Sequence, residues 1–198
     1  MSKFAIGLTL AALPLAVMAA PETYSLDPQH TFPHFEVAHL GGMSHLRGRF
    51  DRTAGKFTID RAAKIASIEL TVQTESVSSG FSNPAGTIYK ISRDDLLRSP
   101  DNFNVVEFPT MTYKSTSVKF DGDNPATIEG NLTLVGVTRP LTLHVENWKC
   151  GPNPFSKKEM CGGNAAGTIK RSDFGMKFAP PAISDEVKLW IEVEAYKN

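Results

Sequence analysis

The stretch Ile128–Val145, with the sequence IEGNLTLVGVTRPLTLHV, decides the fold. From Ile128 to Leu134 every second residue is apolar or glycine, and the residues between them are polar. The second half, from Leu141 to Val145, repeats this alternation, which is typical of β-strands with one buried face. The link Gly136–Thr138 contains a glycine that tolerates positive φ, so the pattern predicts an antiparallel hairpin. Because a two-stranded hairpin is marginally stable in water, other strands must cover its leucine-rich face.

The same alternation recurs along the chain in short segments separated by turn residues. These segments are 35–39, 46–50, 56–60, 65–74, 110–117, 165–170 and 186–196. Together with the hairpin they predict an all-β protein of about eight or nine antiparallel strands. The pattern alone leaves a two-sheet sandwich and a closed barrel equally open.

The middle of the chain interrupts the strand pattern. Ser78–Pro84 is a polar loop, and Ser92 followed by acidic residues predicts the N-cap and first turn of a short helix. Asp101–Phe108 predicts a second helical turn, which Pro109 would end. We therefore expect a short helical insertion that packs across one end of the sheet.

The first twenty residues have the organisation of a secretory signal peptide. Lys3 precedes an apolar run, Phe4–Leu13, and small residues lead to a cleavage site near Ala20. A membrane anchor is the weaker alternative, because Pro14 breaks an apolar run that is already short for a span. The expected organisation is a signal peptide, residues 1–20, and one exported domain, residues 21–198.

Composition excludes some classes of partner. The sequence has 21 basic and 21 acidic residues, and loss of Lys3 with the signal peptide leaves the rest close to neutral. Without a basic run, nothing predicts a nucleic-acid partner. No stretch after the signal peptide is apolar enough over membrane-spanning length to predict a transmembrane segment.

Two cysteines, Cys150 and Cys161, follow the predicted signal peptide. In an oxidising compartment we expect them to form one disulfide. A metal site is the poorer interpretation, because this pair lacks the other ligands that zinc needs.

Common catalytic motifs are absent from the sequence, so we expect a protein that is not an enzyme and has no catalytic residues. Four of the five histidines, His30, His34, His39 and His45, crowd together near the start of the mature chain. Residues four apart on a strand lie roughly 13 Å from each other, which argues against a local chelate. We therefore predict no metal and no cofactor, and ordinary polar contacts for these histidines.

The inward face of the strands admits two interpretations, a filled hydrophobic core or a partly hollow tube. The tube would be lined by ten side chains: Phe35, Val37, Leu70, Met111, Tyr113, Leu132, Leu141, Leu143, Leu189 and Ile191.

Motifs spread over nearly the whole mature chain resemble the YceI family of secreted bacterial proteins. They are Tyr24–Thr31, Phe35–His39, Gly48–Phe50 with Gly55, Arg93–Asp94, Phe108–Ser115, Gly130–Leu134 with Gly136–Thr138, Lys170–Gly175 and Ser184–Val187. The resemblance implies an extended eight-stranded antiparallel β-barrel, lipocalin-like in shape, with a short helical insertion. It favours the barrel over the sandwich. The G-x-W motif of true lipocalins is missing, so the kinship to lipocalins is one of architecture only.

The resemblance also implies a ligand: members bind long isoprenoid or other amphiphilic lipid chains, such as polyprenyl phosphates or isoprenoid quinones. The tube described above would hold the chain. Arg47, Arg49, Arg93 or Arg171 would meet a phosphate head group at the mouth.

We thus expect a non-catalytic protein of the periplasm that stores or carries such a lipid, with a homodimer as a candidate assembly. The alternative is a stress-response or interaction protein with a packed barrel and a surface-based role. A third hypothesis is an enzyme or metal-dependent redox partner that uses the histidine-rich start.

Overall fold

The structure, a computed structural model, describes residues 20–82 and 90–198. The predicted signal peptide therefore lies, apart from Ala20, outside the described residues. The described part contains eleven strands and one α-helix, α1, which spans Arg93–Arg98. The strands are β1 Glu22–Leu26, β2 Phe32–His39, β3 Ser44–Phe50, β4 Thr53–Asp60, β5 Ile65–Gln73, β6 Val77–Ser78, β7 Thr110–Asp121, β8 Asn124–Leu134, β9 Val137–Pro152, β10 Glu159–Lys170 and β11 Ile183–Lys197.

These strands occupy eight positions around a closed antiparallel barrel. Three positions are each shared by two consecutive segments: β1 and β2, β3 and β4, and β5 and β6. The last strand shows this most clearly, because β11 pairs with β1 through residues 195–197 and with β2 through residues 183–192. The same two pairings close the barrel. The predicted eight-stranded antiparallel barrel is thereby confirmed, and the sandwich is excluded.

The hairpin that decides the fold is formed by β8 and β9. Its inward face is the predicted one, with Gly130 opposite Leu141 and Ile128 opposite Leu143. The turn is shorter than the predicted link at residues 136–138, because Leu134 already pairs with Val137. Val135 and Gly136, with φ of 49° and 71°, form the two-residue connection. Positive φ at both positions gives a turn whose twist matches that of the strands.

The barrel has two different ends. At the end that we call the upper end lie the β4–β5, β7–β8 and β9–β10 connections. The opposite, lower end carries the β2–β3 and β8–β9 turns together with residues 79–82 and 90–109 and the connection at residues 171–182. The disulfide joins Cys150 on β9 to Cys161 directly opposite on β10, in the upper half, and thus confirms the predicted pairing.

The helix α1 begins as the sequence predicts, because the Ser92 hydroxyl accepts a hydrogen bond from the Asp95 N–H at 3.0 Å. The second helical turn expected within Asp101–Phe108 is present as one isolated turn, in which the N–H groups of Glu107 and Phe108 donate to the Asn104 carbonyl at 3.1 and 2.9 Å, and it does not extend into a helix. Asn104 adopts a positive φ of 43°, and its N–H donates to the Ser99 carbonyl, so the helical hydrogen-bond pattern is interrupted. The segment still crosses the lower end of the barrel, as expected for the insertion.

Candidate ligand-binding cavity

A cavity of about 440 Å³ occupies the lower half of the barrel. Its volume lies within the range of pockets that hold small molecules. All ten side chains that the sequence assigns to the tube belong to residues lining this cavity. Their position follows from strand register, since Phe35 lies opposite Leu189 and Val37 opposite Val187. Their role in binding a ligand stays a prediction.

The lower end contributes lining residues that the strand pattern did not predict. Leu96 and Leu97 come from α1 and Phe103 from the turn after it, while Met176 and Phe178 come from the connection before β11. The paired leucines of the short helix were the available signal. The connection before β11 has no periodicity that shows which of its side chains point into a barrel.

Aromatic side chains fill the barrel above the cavity. The Tyr24 ring stacks on Phe57 with centroids 4.7 Å apart, and Phe57 meets Trp148 edge to face at 5.3 Å. None of the three rings lines the cavity. Small residues face this group, since Gly163 lies opposite Trp148 and the Ala195 side chain is fully buried. The aromatic stack therefore fills the part of the barrel between the cavity and the upper end.

Tyr113 lies at the boundary between the filled and hollow halves. Its phenol packs on Gly130, where an added Cβ would lie 2.6 Å from the ring. The close packing lets the hydroxyl donate to two main-chain carbonyls, Ile128 O at 3.1 Å and Leu141 O at 3.2 Å. Burial raises the pKa of Tyr113, so its hydroxyl stays protonated and acts as a donor.

Of the four arginines predicted to meet a head group, Arg171 is the most deeply buried. Its three guanidinium nitrogens donate to main-chain carbonyls: Nε to Ser184 and Nη2 to Ile183, both at 2.8 Å, and Nη1 to Phe178 at 2.6 Å. Burial lowers its pKa. Arg171 lines the cavity, yet its hydrogen bonds hold together the connection at residues 171–182.

By register Arg47 and Arg49 lie on the outer face of β3, and Arg47 also borders the cavity. The Nε of Arg47 donates to Glu36 at 2.6 Å, and this bond lowers the pKa of that carboxyl group. Arg49 pairs with Asp51 and lies over the Phe32 ring.

Arg93, at the start of α1, lines the cavity and places its guanidinium 5.4 Å from the centroid of Phe81. Arg47 and Arg171 border the same cavity, Arg47 while bonded to Glu36 and Arg171 while bonded to main-chain carbonyls. A head-group role for any of the four remains a prediction.

The crowded histidines do not form one cluster. His34 lies 3.4 Å from Glu192, His45 lies 3.9 Å from Glu36, and His39 contacts Ser44. His30 joins Asp27 and Glu194 in a group whose ligand atoms lie within 4.8 Å of one another. These three could hold a cation on the outer surface, and none of them lines the cavity.

No helix within residues 20–82 and 90–198 has both the length and the apolar character needed to cross a bilayer.

The described residues form a closed antiparallel β-barrel with an apolar cavity in its interior. Residues 24–195 match the family profile of the YceI-like domain. The chain belongs to the YceI family.

Named relatives cover the chain from end to end. It is 38% identical over 202 residues to protein YceI of Escherichia coli O157:H7, with all of both chains aligned. It is 37% identical over 199 residues to a UPF0312 protein of Pseudomonas aeruginosa, with 96% of this chain and 98% of that one aligned.

Solved structures share the fold. BcnA of Burkholderia cenocepacia superposes with a TM-score of 0.65 at 19% identity, over 85% of this chain and 98% of that one. A polyisoprenoid binding domain from Saccharophagus degradans gives a TM-score of 0.60 at 18% identity, over 88% of this chain and 98% of that one.

Proposed function

We propose that this protein binds a long-chain isoprenoid, or a similar amphiphilic lipid, in the cavity of the barrel. It would store or carry the lipid in the periplasm without catalysing a reaction. One observation carries the proposal: an apolar cavity of about 440 Å³ that ten inward side chains of the barrel wall surround. The family and the polyisoprenoid-binding neighbour support a binding protein rather than an enzyme.

The energetics of such a complex favour an extended apolar chain. Each buried methylene contributes roughly 0.8 kcal/mol, so a five-carbon isoprene unit contributes about 2–4 kcal/mol before ordering costs. The cavity wall consists of paired strands, and its rigidity limits the cost of ordering the protein. Because the aromatic stack fills the upper half of the barrel, the lipid chain would enter from the lower end and leave its polar head there.

At the lower end, Arg93 is the residue that we expect to meet the head group. A phosphate would pair with its guanidinium, as in a polyprenyl phosphate. A quinone head would accept hydrogen bonds from it. Asn102 and Ser92 line the same part of the cavity, although the Ser92 hydroxyl already bonds to Asp95.

The periplasmic location rests on the predicted signal peptide, and the disulfide is of the kind that persists in oxidising compartments. Mass spectrometry of protein isolated from its own host tests the periplasmic location. We expect a mature chain that starts near residue 21 and is released with the periplasmic fraction. A full-length chain in the cytoplasm would contradict the proposal.

Native mass spectrometry, followed by organic extraction of protein from its own host, tests the binding function. We expect a long-chain lipid that co-purifies at close to one molecule per barrel. The variant Leu189→Trp places a larger side chain into the cavity and should displace the lipid. Lys188→Trp, on the outer face of the same strand, is the matched control and should retain it. Wild-type protein free of lipid, with a cavity that rejects added prenyl alcohols, would favour the surface-based role.

A further inference from the structure

Three apolar side chains are exposed at the lower end of the barrel. Met43 is 86% exposed, Leu40 53% and Phe81 37%. Phe81 also lines the cavity. The Leu40 N–H donates to the carbonyl of Ala182, another lining residue, at 2.7 Å. Met43 lies in the same turn as Leu40, since its N–H donates to the Leu40 carbonyl at 3.4 Å. We call these three residues the rim; Phe81 belongs to the cavity lining, and Leu40 is bonded to a lining residue.

Basic residues accompany the rim. Lys90 and Arg93 lie on the segment that leads into α1, and Lys177 lies on the connection before β11. The acidic residues of α1 have partners within the protein. Asp94 accepts hydrogen bonds from Ser79, and Asp95 accepts them from Ser92 and Arg98. Asp101, Glu107 and Asp173 also lie on the lower-end connections. The cations are nevertheless close to the opening, because Arg93 lines the cavity and Lys90 and Lys177 are next in sequence to lining residues.

We infer that the rim docks on the surface of an anionic lipid bilayer, with Met43 and Leu40 inserted among the acyl chains. The inference rests on the proposed function, because a lipid with a long apolar chain stays in a bilayer until a protein removes it. Apolar side chains flanked by cations are the combination that holds proteins at the interface of anionic membranes. Docking by the rim would set the mouth of the cavity against the acyl chains that it accepts.

The upper end offers a matched comparison. Phe155 is 92% exposed on the β9–β10 connection, and Lys157 and Lys158 follow it. The surface chemistry of this connection is similar to that of the rim, yet the aromatic stack separates the connection from the cavity. If exposure and charge alone decided docking, both ends would bind. If continuity with the cavity matters, transfer of lipid depends on the rim.

The first experiment measures flotation of the purified protein with phosphatidylcholine vesicles, with and without phosphatidylglycerol. We expect the wild type to float with the anionic vesicles and to dissociate at high salt. Met43→Glu should weaken vesicle binding about tenfold or more, since an apolar contact is replaced by a charge repelled by the membrane. Phe155→Glu should leave it within about twofold.

A second measurement follows uptake of a fluorescent prenyl lipid, delivered either from anionic vesicles or from dilute solution. Met43→Glu should slow uptake from vesicles and leave binding from solution unchanged, which also shows that the variant folds. A wild-type protein that does not bind the prenyl lipid from solution would contradict the proposed function. Docking by the wild type that Met43→Glu leaves intact would contradict the inference alone.

Two other results would also overturn the inference. One is equal sensitivity of vesicle binding to Met43→Glu and Phe155→Glu. The other is a rim that joins two copies of the chain: in analytical ultracentrifugation the wild type would then be a dimer that Met43→Glu dissociates, and the wild type would not float with vesicles.

Discussion

The two halves of this barrel are built from the same strands, but the upper half is filled and the lower half contains the cavity. In the upper half Tyr24, Phe57 and Trp148 meet across the interior, opposite glycine and alanine positions. In the lower half aliphatic side chains and the rings of Phe35, Phe50 and Phe103 line the wall and leave about 440 Å³ between them. The upper rings connect β1 and β4 with β9, whereas the lower rings gather at β2, β3 and the turn after α1. The difference teaches that the hollow is decided by where the large side chains meet at each level, and not by the fold.

The sharpest way to break this comparison is to remove one phenylalanine from each half. Phe57→Ala should destabilise the protein by about 3–5 kcal/mol, because it leaves a cavity in a closely packed stack. Phe35→Ala should cost less, about 1–2 kcal/mol, because Phe35 already borders empty space and is only half-buried. Urea unfolding followed by circular dichroism measures both. Equal costs would mean that the lower half is packed as tightly as the upper.

The disulfide provides the next largest effect. Replacing both Cys150 and Cys161 by serine should lower the free energy of unfolding by about 3 kcal/mol, since the unfolded chain regains the entropy of a short closed loop. Both cysteines lie in the upper half, so ligand binding in the lower half should persist under native conditions. Wild-type protein treated with a reductant is the control and should unfold at a similar urea concentration. A variant that loses ligand binding while folded would show that the halves are coupled.

Tyr113 tests the boundary between the halves. Tyr113→Phe removes the donor to the Ile128 and Leu141 carbonyls and should cost about 1 kcal/mol, again measured by urea unfolding. Tyr196→Phe is the matched control, because that hydroxyl accepts a hydrogen bond from Asn153 near the upper surface. We expect the control to cost less. If Tyr196→Phe lowered the free energy of unfolding more than Tyr113→Phe, the hydrogen bond to Asn153 would be the more stabilising of the two.

Strand periodicity predicted the wall of the cavity well. A period of two assigns each residue to the inside or the outside, and the ten predicted lining residues occupy inward positions around the cavity. The same rule shows why Arg47 and Arg49 face outward, since Gly48 between them lies opposite Phe35. Once the inward face of β3 is known, the sequence positions of the two arginines are enough to place them on the outer face.

The rest required tertiary structure. Arg171 looks like a free cation in the sequence, but its guanidinium donates to the Phe178 carbonyl in the connection and to the Ile183 and Ser184 carbonyls at the start of β11. Gly130 carries no sign that the Tyr113 ring will cover it. Whether the interior is filled or hollow depends on Phe57 and Trp148 meeting across the barrel, which is a matter of contacts distant in sequence. No local sequence pattern predicts the volume of the cavity.

The smallest expected effect concerns the junction between the halves, where the chain passes from β1 to β2. The Nδ1 of His30 lies 2.8 Å from Asp27, and this hydrogen bond raises the pKa of His30 above its usual 6.5. A raised pKa in the folded state means that protonated His30 stabilises the fold below pH 6.5, and that this contribution is lost as the pH rises through the folded value. The melting temperature should therefore fall slightly, by about one degree, as the pH rises from 6 to 8. His30→Gln should flatten this part of the profile, whereas His144→Gln, on β9, should leave it unchanged. If His30→Gln retained the full slope, another group at the junction would have to account for the pH dependence.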